Sequence, residues 1–262
     1  MIEADELQER SRDFNQSVAR GLEIIETFGA DASRQTVSEV AGKTGLTRAT
    51  ARRFLLTLVE LGYMTTDGRT FQLSPRVLGL GYSYLSGLGF PNVALPHLEA
   101  LVAEVDEASE ASILDGHDVI YVVRVPGTRL MTIAVNVGSR MPAHATSMGR
   151  VLLAGLSDDE LEHFLAFAKL ERYLPHTATD ADTLRERVLR ARTDGFAIVD
   201  QELEEGLIAV AVPIHDRVGR VVAAVNLSTN VARYNSDSVR AELLPALQHH
   251  AALIERDLAY VV

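Results

Sequence analysis

Apolar positions recur at helical spacing in three short segments near the start of the chain. Residues 16–27 predict an amphipathic helix, because Val18, Leu22, Ile24 and Ile25 lie near one stripe. A second helix is predicted to begin at Thr36, which stands three residues before a glutamate, as in a capping box. These short, closely spaced helices predict a small helical unit.

The third segment predicts a helix followed by a hairpin. Thr47 is a suitable N-cap, and the apolar spacing continues to Leu61. Arg52 and Arg53 fall opposite the apolar face of this helix. Beyond it, two short strand-like runs surround Asp67-Gly68, a strong hairpin signal. Three helices and a hairpin predict a winged helix-turn-helix, whose third helix enters the major groove of DNA.

Polar residues at the front of the third helix are the natural candidates for contact with bases and phosphates. The alternative is a three-helix domain that binds protein and carries its arginines on a solvated face. The positions of the threonines and arginines favour DNA. The predicted DNA-binding residues are Thr36, Thr47, Arg48, Thr50, Arg52, Arg53 and Arg69.

The remainder of the chain predicts a further helix after Ser74-Pro75, which could equally be a plain core helix, and then an α+β domain. Strand-like and helix-like runs come in separate groups, which is typical of an antiparallel sheet flanked by helices. The predicted strands cover 111–114, 119–125, 130–136, 197–200, 208–213 and 221–228, and the helices 91–107, 147–154, 158–168, 182–193 and 236–257.

Composition agrees with a chain that buries a substantial core. It has 262 residues, of which 47% are hydrophobic and 23% charged. No run of about 18 apolar residues is present, so no membrane span is expected. The acidic, polar start does not resemble a secretory signal, which favours a cytoplasmic protein.

Charge is distributed unevenly along the chain. The formal net charge is −11, yet residues 14–90 carry 8 Lys and Arg against 6 Asp and Glu. Residues 91–262 carry 15 against 25. A mildly basic unit followed by an acidic one indicates two domains with different partners.

The usual enzymatic motifs are missing. There is no cysteine, Walker loop, HExxH motif or GxSxG elbow, and the histidines are scattered. The acids at 180 and 182, and at 202, 204 and 205, are interpreted as loop and cap residues. We therefore expect neither an enzyme nor a cofactor or metal site.

Several segments together resemble the IclR-type transcriptional regulators. The N-terminal part resembles that family's DNA-binding domain through TVSEVAGKTGLTRATARRFLLTLVELGYMTTDGRTFQLSPRVLGLG. The C-terminal part resembles its effector-binding domain through GSRMPAHATSMGRVLLAGL, DGFAIVDQELEEGLIAVAVPI and VVAAVNLS. The stretches GLTRATARRFLLTL and LSPRVLGLGYSYLSGLG resemble the branch that controls the β-ketoadipate pathway of aromatic catabolism.

This resemblance implies a domain plan and a set of partners. It implies a winged helix-turn-helix domain at 14–74, a helical linker at 75–90 and a GAF/PAS-like α+β effector-binding domain at 91–262. It also implies a homodimer or dimer of dimers on paired half-sites of double-stranded operator DNA. The expected effector is a small aromatic acid or keto-diacid.

The resemblance also points to effector-binding residues. A helix N-terminus at Ser147 would favour binding of a carboxylate. Asn226 and Ser228 lie on the same face of their predicted strand, so they could both form hydrogen bonds with one ligand. An anion would also need a cation, for which Arg124, Arg140, His144 and Arg150 are candidates. The alternative is that Arg140 and Arg150 are surface residues and that His144 forms a structural hydrogen bond. The predicted effector-binding residues are Ser147, Met148, Asp200, Leu207, Ala209, Asn226, Ser228, His144 and Arg124.

The sequence therefore predicts an effector-controlled regulator of aromatic-compound catabolism. The alternative is a small-molecule-binding or catalytic α+β domain with a three-helix head that binds protein. The two hypotheses differ in whether Arg52 and Arg53 matter for function.

Overall fold

The computed structural model describes residues 14–29, 32–81, 89–128 and 135–259. The chain divides into two compact units, Met1–Tyr84 and Leu85–Val262. Most of the strand predicted at 130–136, and the second half of the predicted linker helix, lie outside the described residues. No helix in the described ranges combines the length and apolar character needed to cross a membrane.

In its described residues, the first unit contains three α-helices, a short 3₁₀ helix (Pro75–Val77) and a small antiparallel sheet whose third strand lies between the first two. The two-residue strand β1, which the sequence analysis did not predict, pairs with β3 beside the hairpin. The elements are α1 Gln16–Glu26, β1 Gln35–Thr36, α2 Val37–Thr44, α3 Arg48–Glu60, β2 Met64–Thr66 and β3 Thr70–Leu73.

Local signals place α2 and α3 as predicted. The stripe predicted on α1 is only partly correct, because Ile24 is buried whereas Val18 and Leu22 are exposed. The Thr36 side chain and that of Glu39 form both halves of a capping box at the start of α2. Gly45 ends α2 in the left-handed conformation (φ 66°), and Thr47 caps α3. The core of the unit is formed by Ile24, Phe28, Val40, Ala41, Ala51, Leu55, Leu58, Met64 and Phe71.

The second unit is an α+β fold built on one antiparallel sheet of six strands, in the order β6-β5-β4-β9-β8-β7. Its helices are α4 Phe90–Val105, α5 Ser147–Ala154, α6 Asp158–Phe167, α7 Ala181–Asp194 and α8 Leu244–Leu258. Its strands are β4 Ala108–Asp115, β5 Asp118–Val125, β6 Arg140–Pro142, β7 Ala197–Asp200, β8 Leu207–His215 and β9 Val221–Asn230.

Helices cover both faces of this sheet and so create two apolar layers. One face packs against α4 and α8, with Leu98, Ile208 and Leu247 among its fully buried residues. The other face packs against α5, α6 and α7 around Leu153 and Leu184. This second layer also holds the cavity described below.

Strand β6 was not predicted, and several predicted boundaries differ from the structure, two of them with structural consequences. The helix predicted over 236–257 is interrupted: Ser236–Ser238 is followed by a π-helical turn, Val239–Leu243, and only then by α8. Pro245 lies in the first turn of α8, where a missing backbone donor is tolerated. Strand β4 begins at Ala108 rather than 111, and this difference adds Glu110 to the sheet.

Candidate nucleic-acid interface and ligand cavity

The outward face of α3 is polar and accessible. Arg48, Arg52 and Arg53 are exposed, and within the described part of the chain none of them forms an ion pair. Their side chains extend from a helix whose opposite face contributes Ala51 and Leu55 to the core. The surface formed by Thr47, Arg48, Thr50, Arg52 and Arg53, called here the α3 surface, is therefore free to meet an anionic partner.

The N-terminal turn of α3 is held by its own threonines. The Thr47 side chain accepts a hydrogen bond from the Thr50 backbone N–H (3.2 Å), and the two hydroxyl oxygens lie 2.9 Å apart. This network fixes the first turn from which Arg48 projects. It leaves Thr47 exposed and Thr50 half-buried.

The hairpin between β2 and β3 presents Arg69 at its tip. The Asp67 carboxylate accepts hydrogen bonds from the backbone N–H groups of Arg69 (2.8 Å) and Thr70 (2.7 Å). These backbone bonds, followed by one from the Thr70 hydroxyl, lower the pKa of Asp67 to about 2. Gly68 takes a positive φ of 91° to close the turn. The turn is thus internally braced, and the Arg69 side chain remains exposed.

Thr36 has a structural partner within its own helix. Its hydroxyl donates to the Glu39 carboxylate (2.8 Å) and accepts from the Glu39 backbone N–H (3.4 Å). Bonds from the Thr36 backbone and then its hydroxyl lower the pKa of Glu39. A DNA contact by Thr36, which stays a prediction, would have to share a hydroxyl that already caps α2.

The ligand cavity of the second unit lies between the sheet and the N-terminus of α5. Its volume is about 50 Å³, and its lining combines apolar side chains with polar groups from the sheet, from the start of α5 and from the loop after β7. The residues that line it are Glu110, Tyr121, Arg124, Val135, Met141, Ala145, Thr146, Ser147, Met148, Val199, Glu202, Leu203, Leu207, Ala209, Asn226 and Ser228.

A close backbone approach holds α5 against this cavity. The Thr146 hydroxyl caps the helix by accepting from the Gly149 backbone N–H (3.1 Å). A Cβ atom at Gly149 would lie 2.1 Å from the carbonyl oxygen of Ala143, so only glycine fits there. Ser147 and Met148 are therefore presented to the cavity from a rigidly seated turn.

A β-bulge brings Arg124 into the same cavity. The pairing of β4 with β5 shifts between Ala111 and Ser112, so that Val122 is the extra residue on β5. As a result, Val122 and Val123 both join the α4–α8 layer. Tyr121 and Arg124, three residues apart, then both line the cavity. The Nε atom of Arg124 is buried and has no hydrogen-bond partner.

Next to Arg124 stands a buried carboxyl group. Glu110 pairs directly with Arg124 across β4 and β5 and is 5% exposed. The Ser228 hydroxyl donates to its carboxylate (3.3 Å), and the Asn226 amide donates to Ser228 (2.9 Å). Burial raises the pKa of Glu110, and hydrogen bonds from Asn226 and Ser228 and the charge of Arg124 oppose this increase.

A second group of charges lies beside the cavity, and only one of its members, Glu202, lines the cavity; Arg150 and Arg187 line a neighbouring surface groove. Arg150 Nη2 lies 2.6 Å from Glu202 Oε2, and Arg187 Nη1 lies 2.8 Å from the same oxygen. The side chains of Arg150 and Glu202 are only 4% and 6% exposed. Burial lowers the pKa of Arg150, and the charge of Glu202 opposes this effect. We refer to these three residues as the Glu202 triad.

The structure brings most of the predicted effector residues together, with two exceptions. Ser147, Met148, Leu207, Ala209, Asn226, Ser228 and Arg124 all line the cavity. His144 does not, because it lies in the turn before α5 with its Nε2 3.0 Å from the Glu171 carbonyl oxygen. Asp200 lines a neighbouring surface groove instead.

The other two cation candidates also have separate partners. Arg140 is a surface residue, as one interpretation held, and pairs with Asp115 (2.7 Å) and Asp118 (3.1 Å). The surface interpretation of Arg150 is wrong, because Glu202 neutralises it in the interior. Among the residues the structure describes, no group of three His, Cys, Asp or Glu side chains is arranged to bind a metal.

Sequence reasoning missed Glu110, Tyr121 and Glu202 as cavity residues. Glu110 fell just outside the strand predicted to begin at 111, so its direction was not considered. An available signal was a lone acid among small residues, ASEAS, opposite the lone arginine of YVVRV. Pairing these two strands would have suggested a buried charged pair.

Comparisons with known proteins identify both units. Residues 17–68 match the IclR helix-turn-helix domain, and residues 82–256 match the family described as bacterial transcriptional regulator IclR C-terminal. The Pca regulon regulatory protein of Pseudomonas putida is 40% identical over 236 residues, or 90% of this chain and 81% of that protein. A crystal structure from Rhodococcus sp. RHA1, of a chain assigned to the transcriptional regulators, shows 53% identity and a TM-score of 0.85, and the match covers 95% of this chain and all of that one. An IclR homolog from Microbacterium hydrocarbonoxydans, solved in complex with 4-hydroxybenzoate, shows 28% identity and a TM-score of 0.81 over 92% of this chain and 98% of that one.

Proposed function

Because this chain belongs to the IclR family of bacterial transcriptional regulators, we propose that it controls genes of aromatic-acid catabolism in response to an aromatic monocarboxylate. The α3 surface would read operator DNA, and the cavity beside α5 would bind the effector. The chain would act in the cytoplasm by binding rather than by catalysis, as a homodimer or dimer of dimers on paired half-sites.

The DNA-binding part of the proposal rests on the unpaired arginines of the α3 surface. Arg48, Arg52 and Arg53 are exposed near the front of a helix that its own cap holds in place. The whole chain carries a net charge of −11, which opposes indiscriminate attraction to DNA. Binding should therefore depend strongly on these few cations, with Arg69 reaching the backbone or minor groove beside them.

The charge balance of the cavity supports a monoanion. Arg124 is the one cation among its described lining residues, and its buried Nε lacks a partner. Glu202 is neutralised by Arg150 and Arg187, and burial favours the uncharged form of Glu110. A benzoate-type ligand matches this single uncompensated charge. A keto-diacid would bring a second carboxylate, for which the described cavity wall offers no second cation.

The size of the cavity suggests how binding is coupled to a change in shape. A cavity of about 150 Å³ accommodates benzene, whereas this one has about 50 Å³. An aromatic acid would therefore favour an expanded arrangement over the closed one. Leu203 and Glu202 border the cavity next to Gln201, a non-glycine residue with a positive φ of 52°. The loop of residues 201–206 is the proposed site of that expansion. Tighter binding of the effector to the expanded arrangement than to the closed one is the differential affinity through which an effector shifts the equilibrium.

The single observation that carries the proposal is the buried, unpartnered Nε of Arg124, the one cation among the described residues that line the cavity. The test is fluorescence anisotropy of the intergenic DNA upstream of the gene, titrated with the full chain. Addition of 4-hydroxybenzoate or protocatechuate should change the operator affinity, and β-ketoadipate should have a weaker effect. Arg124→Met should bind operator normally but lose this response.

Two arginine variants separate DNA reading from other roles. Arg52→Ala and Arg53→Ala should each weaken operator binding by about 1–3 kcal/mol, or roughly 5- to 150-fold. Arg190→Ala, which removes an exposed arginine of the second unit, is the matched control and should have no effect. Unchanged affinity in both α3 variants would instead favour a protein-binding head.

A further inference from the structure

The carboxyl group of Glu110 lies next to the position that an effector carboxylate would occupy. Strands β4 and β5 pair Glu110 directly with Arg124, and both residues line the cavity. Direct cross-strand neighbours have Cβ atoms about 4.5–5.5 Å apart. A carboxylate held by the free Nε of Arg124 would thus lie beside the carboxyl group of Glu110.

Two adjacent carboxylates in a buried site do not both ionise readily, because their charges repel and water is excluded. Glu110 is 5% exposed, and no described lysine or arginine nitrogen lies within 4 Å of it. Its described partners are the uncharged Ser228 and Asn226. In the free protein, Arg124 is the nearby charge that favours ionisation of Glu110. An effector carboxylate would neutralise Arg124 and so remove that support.

Given the proposed function, on which this inference rests, we propose that Glu110 is a protonated carboxylic acid in the effector complex and donates a hydrogen bond to the effector carboxylate. The proton comes from solvent and resides on a Glu110 carboxyl oxygen. Binding of the anion is then linked to uptake of one proton, and Arg124 and Glu110 together recognise the carboxylate.

The other groups that face Glu110 do not offer an alternative proton acceptor. From β5, the buried Tyr121 stays a neutral hydroxyl, because burial and the neighbouring Glu110 both raise its pKa. From the loop after β7, Glu202 is held by Arg150 and Arg187. The lining residues contributed by β9 and α5 are uncharged: Asn226, Ser228, Ser147 and Met148.

The experiment is isothermal titration calorimetry of the full chain with 4-hydroxybenzoate, in buffers of different ionisation enthalpy, from about pH 6 to about pH 8.5. Wild type should take up a proton, increasingly so as the pH rises, and lose affinity by up to about tenfold per pH unit. Glu110→Gln keeps a neutral hydrogen-bond donor and should bind with no proton uptake and little pH dependence. Glu242→Gln, the same change at an exposed position, should behave like wild type.

A neutral ligand provides a second test that needs no variant. The compound 4-hydroxybenzamide has no charge to place beside Glu110, so its binding to wild type should not show the increase in proton uptake. An infrared difference spectrum of the wild-type 4-hydroxybenzoate complex should show the carbonyl band of a protonated carboxylic acid. These wild-type measurements decide the matter even if the variant fails to fold.

The outcomes separate this inference from the proposed function. Tight, pH-independent binding of 4-hydroxybenzoate without proton uptake would overturn the role of Glu110 and leave the effector class standing. Proton release on binding would overturn it equally. If no aromatic acid binds wild type at any pH, both proposals fail.

Discussion

Replacement of Glu202 by glutamine should strongly destabilise the second unit. The Glu202 carboxylate neutralises Arg150, whose side chain is 4% exposed, and Arg187, whose side chain is 34% exposed. Without that charge, Arg150 would have only neutral acceptors, such as the His144 carbonyl oxygen (3.2 Å), and would remain as a buried, uncompensated cation. Removal of one partner of a buried pair costs about 3–5 kcal/mol, which is the expected loss in the free energy of unfolding.

The same geometry predicts that the reverse change is milder. In Arg150→Met, Glu202 would still be paired with Arg187, which water partly reaches. We expect a loss of about 1–3 kcal/mol, in the range of an interaction lost without a stranded charge. The double variant Glu202→Gln/Arg150→Met should be more stable than Glu202→Gln alone, because it removes the stranded cation.

Urea unfolding of the full chain, followed by circular dichroism, measures these differences. Glu186→Gln is the matched control, because Glu186 pairs with Arg190 on the surface, where ion pairs contribute about 0–1 kcal/mol. The reasoning is refuted if Arg150→Met is as costly as Glu202→Gln, or if the double variant is the least stable of the three.

Two further predictions concern glycine fit and acid stability. Gly149→Ala should lower the free energy of unfolding by about 1–3 kcal/mol or more, because the added Cβ would clash with the Ala143 backbone. Gly42 has open space around it, so the control variant Gly42→Ala should be neutral or stabilising; thermal unfolding measures both changes. The stabilisation of the hairpin by the ionised Asp67 carboxylate should be fully present above the ordinary pKa of 3.8 and should be lost as the pH falls through about 2. The NMR chemical shifts of the Arg69 and Thr70 amide protons would report this titration. An amide titration midpoint near 3.8 would contradict this account of the braced turn.

The first unit was largely predictable because its signals are local. A capping box, a glycine in the left-handed backbone conformation and an Asp-Gly turn each act within a few residues. These signals were sufficient to predict where α2, α3 and the hairpin lie in the sequence. Strand β1 was missed because two residues carry no periodicity of their own, and only pairing with β3 defines them. The same limit applied to the interrupted C-terminal helix, where the apolar spacing continued through the π-helical turn.

The cavity was predictable in part, and the residues missed share a cause. Resemblance indicated the residues on α5, β8 and β9, since they belong to recognisable segments. Glu202 was interpreted as a loop acid because nothing near it in sequence explains a buried charge. Its partners, Arg150 and Arg187, lie on two helices and become its neighbours only when those helices pack together. His144 was placed in the site by proximity in sequence, although its turn directs it toward Glu171.

The position of Arg124 shows why the alternation of side chains along a strand cannot by itself predict which charged residues face such a cavity. In a regular strand, Tyr121 and Arg124 would face opposite sides of the sheet, because successive side chains alternate. The bulge at Val122 places two consecutive valines in the α4–α8 layer and so returns Arg124 to the cavity side. Both valines are apolar, so the irregularity leaves no mark on the hydrophobic pattern of the segment. The presence of a cation in the cavity therefore depends on the register between β4 and β5, and the same pairing places Glu110 beside it.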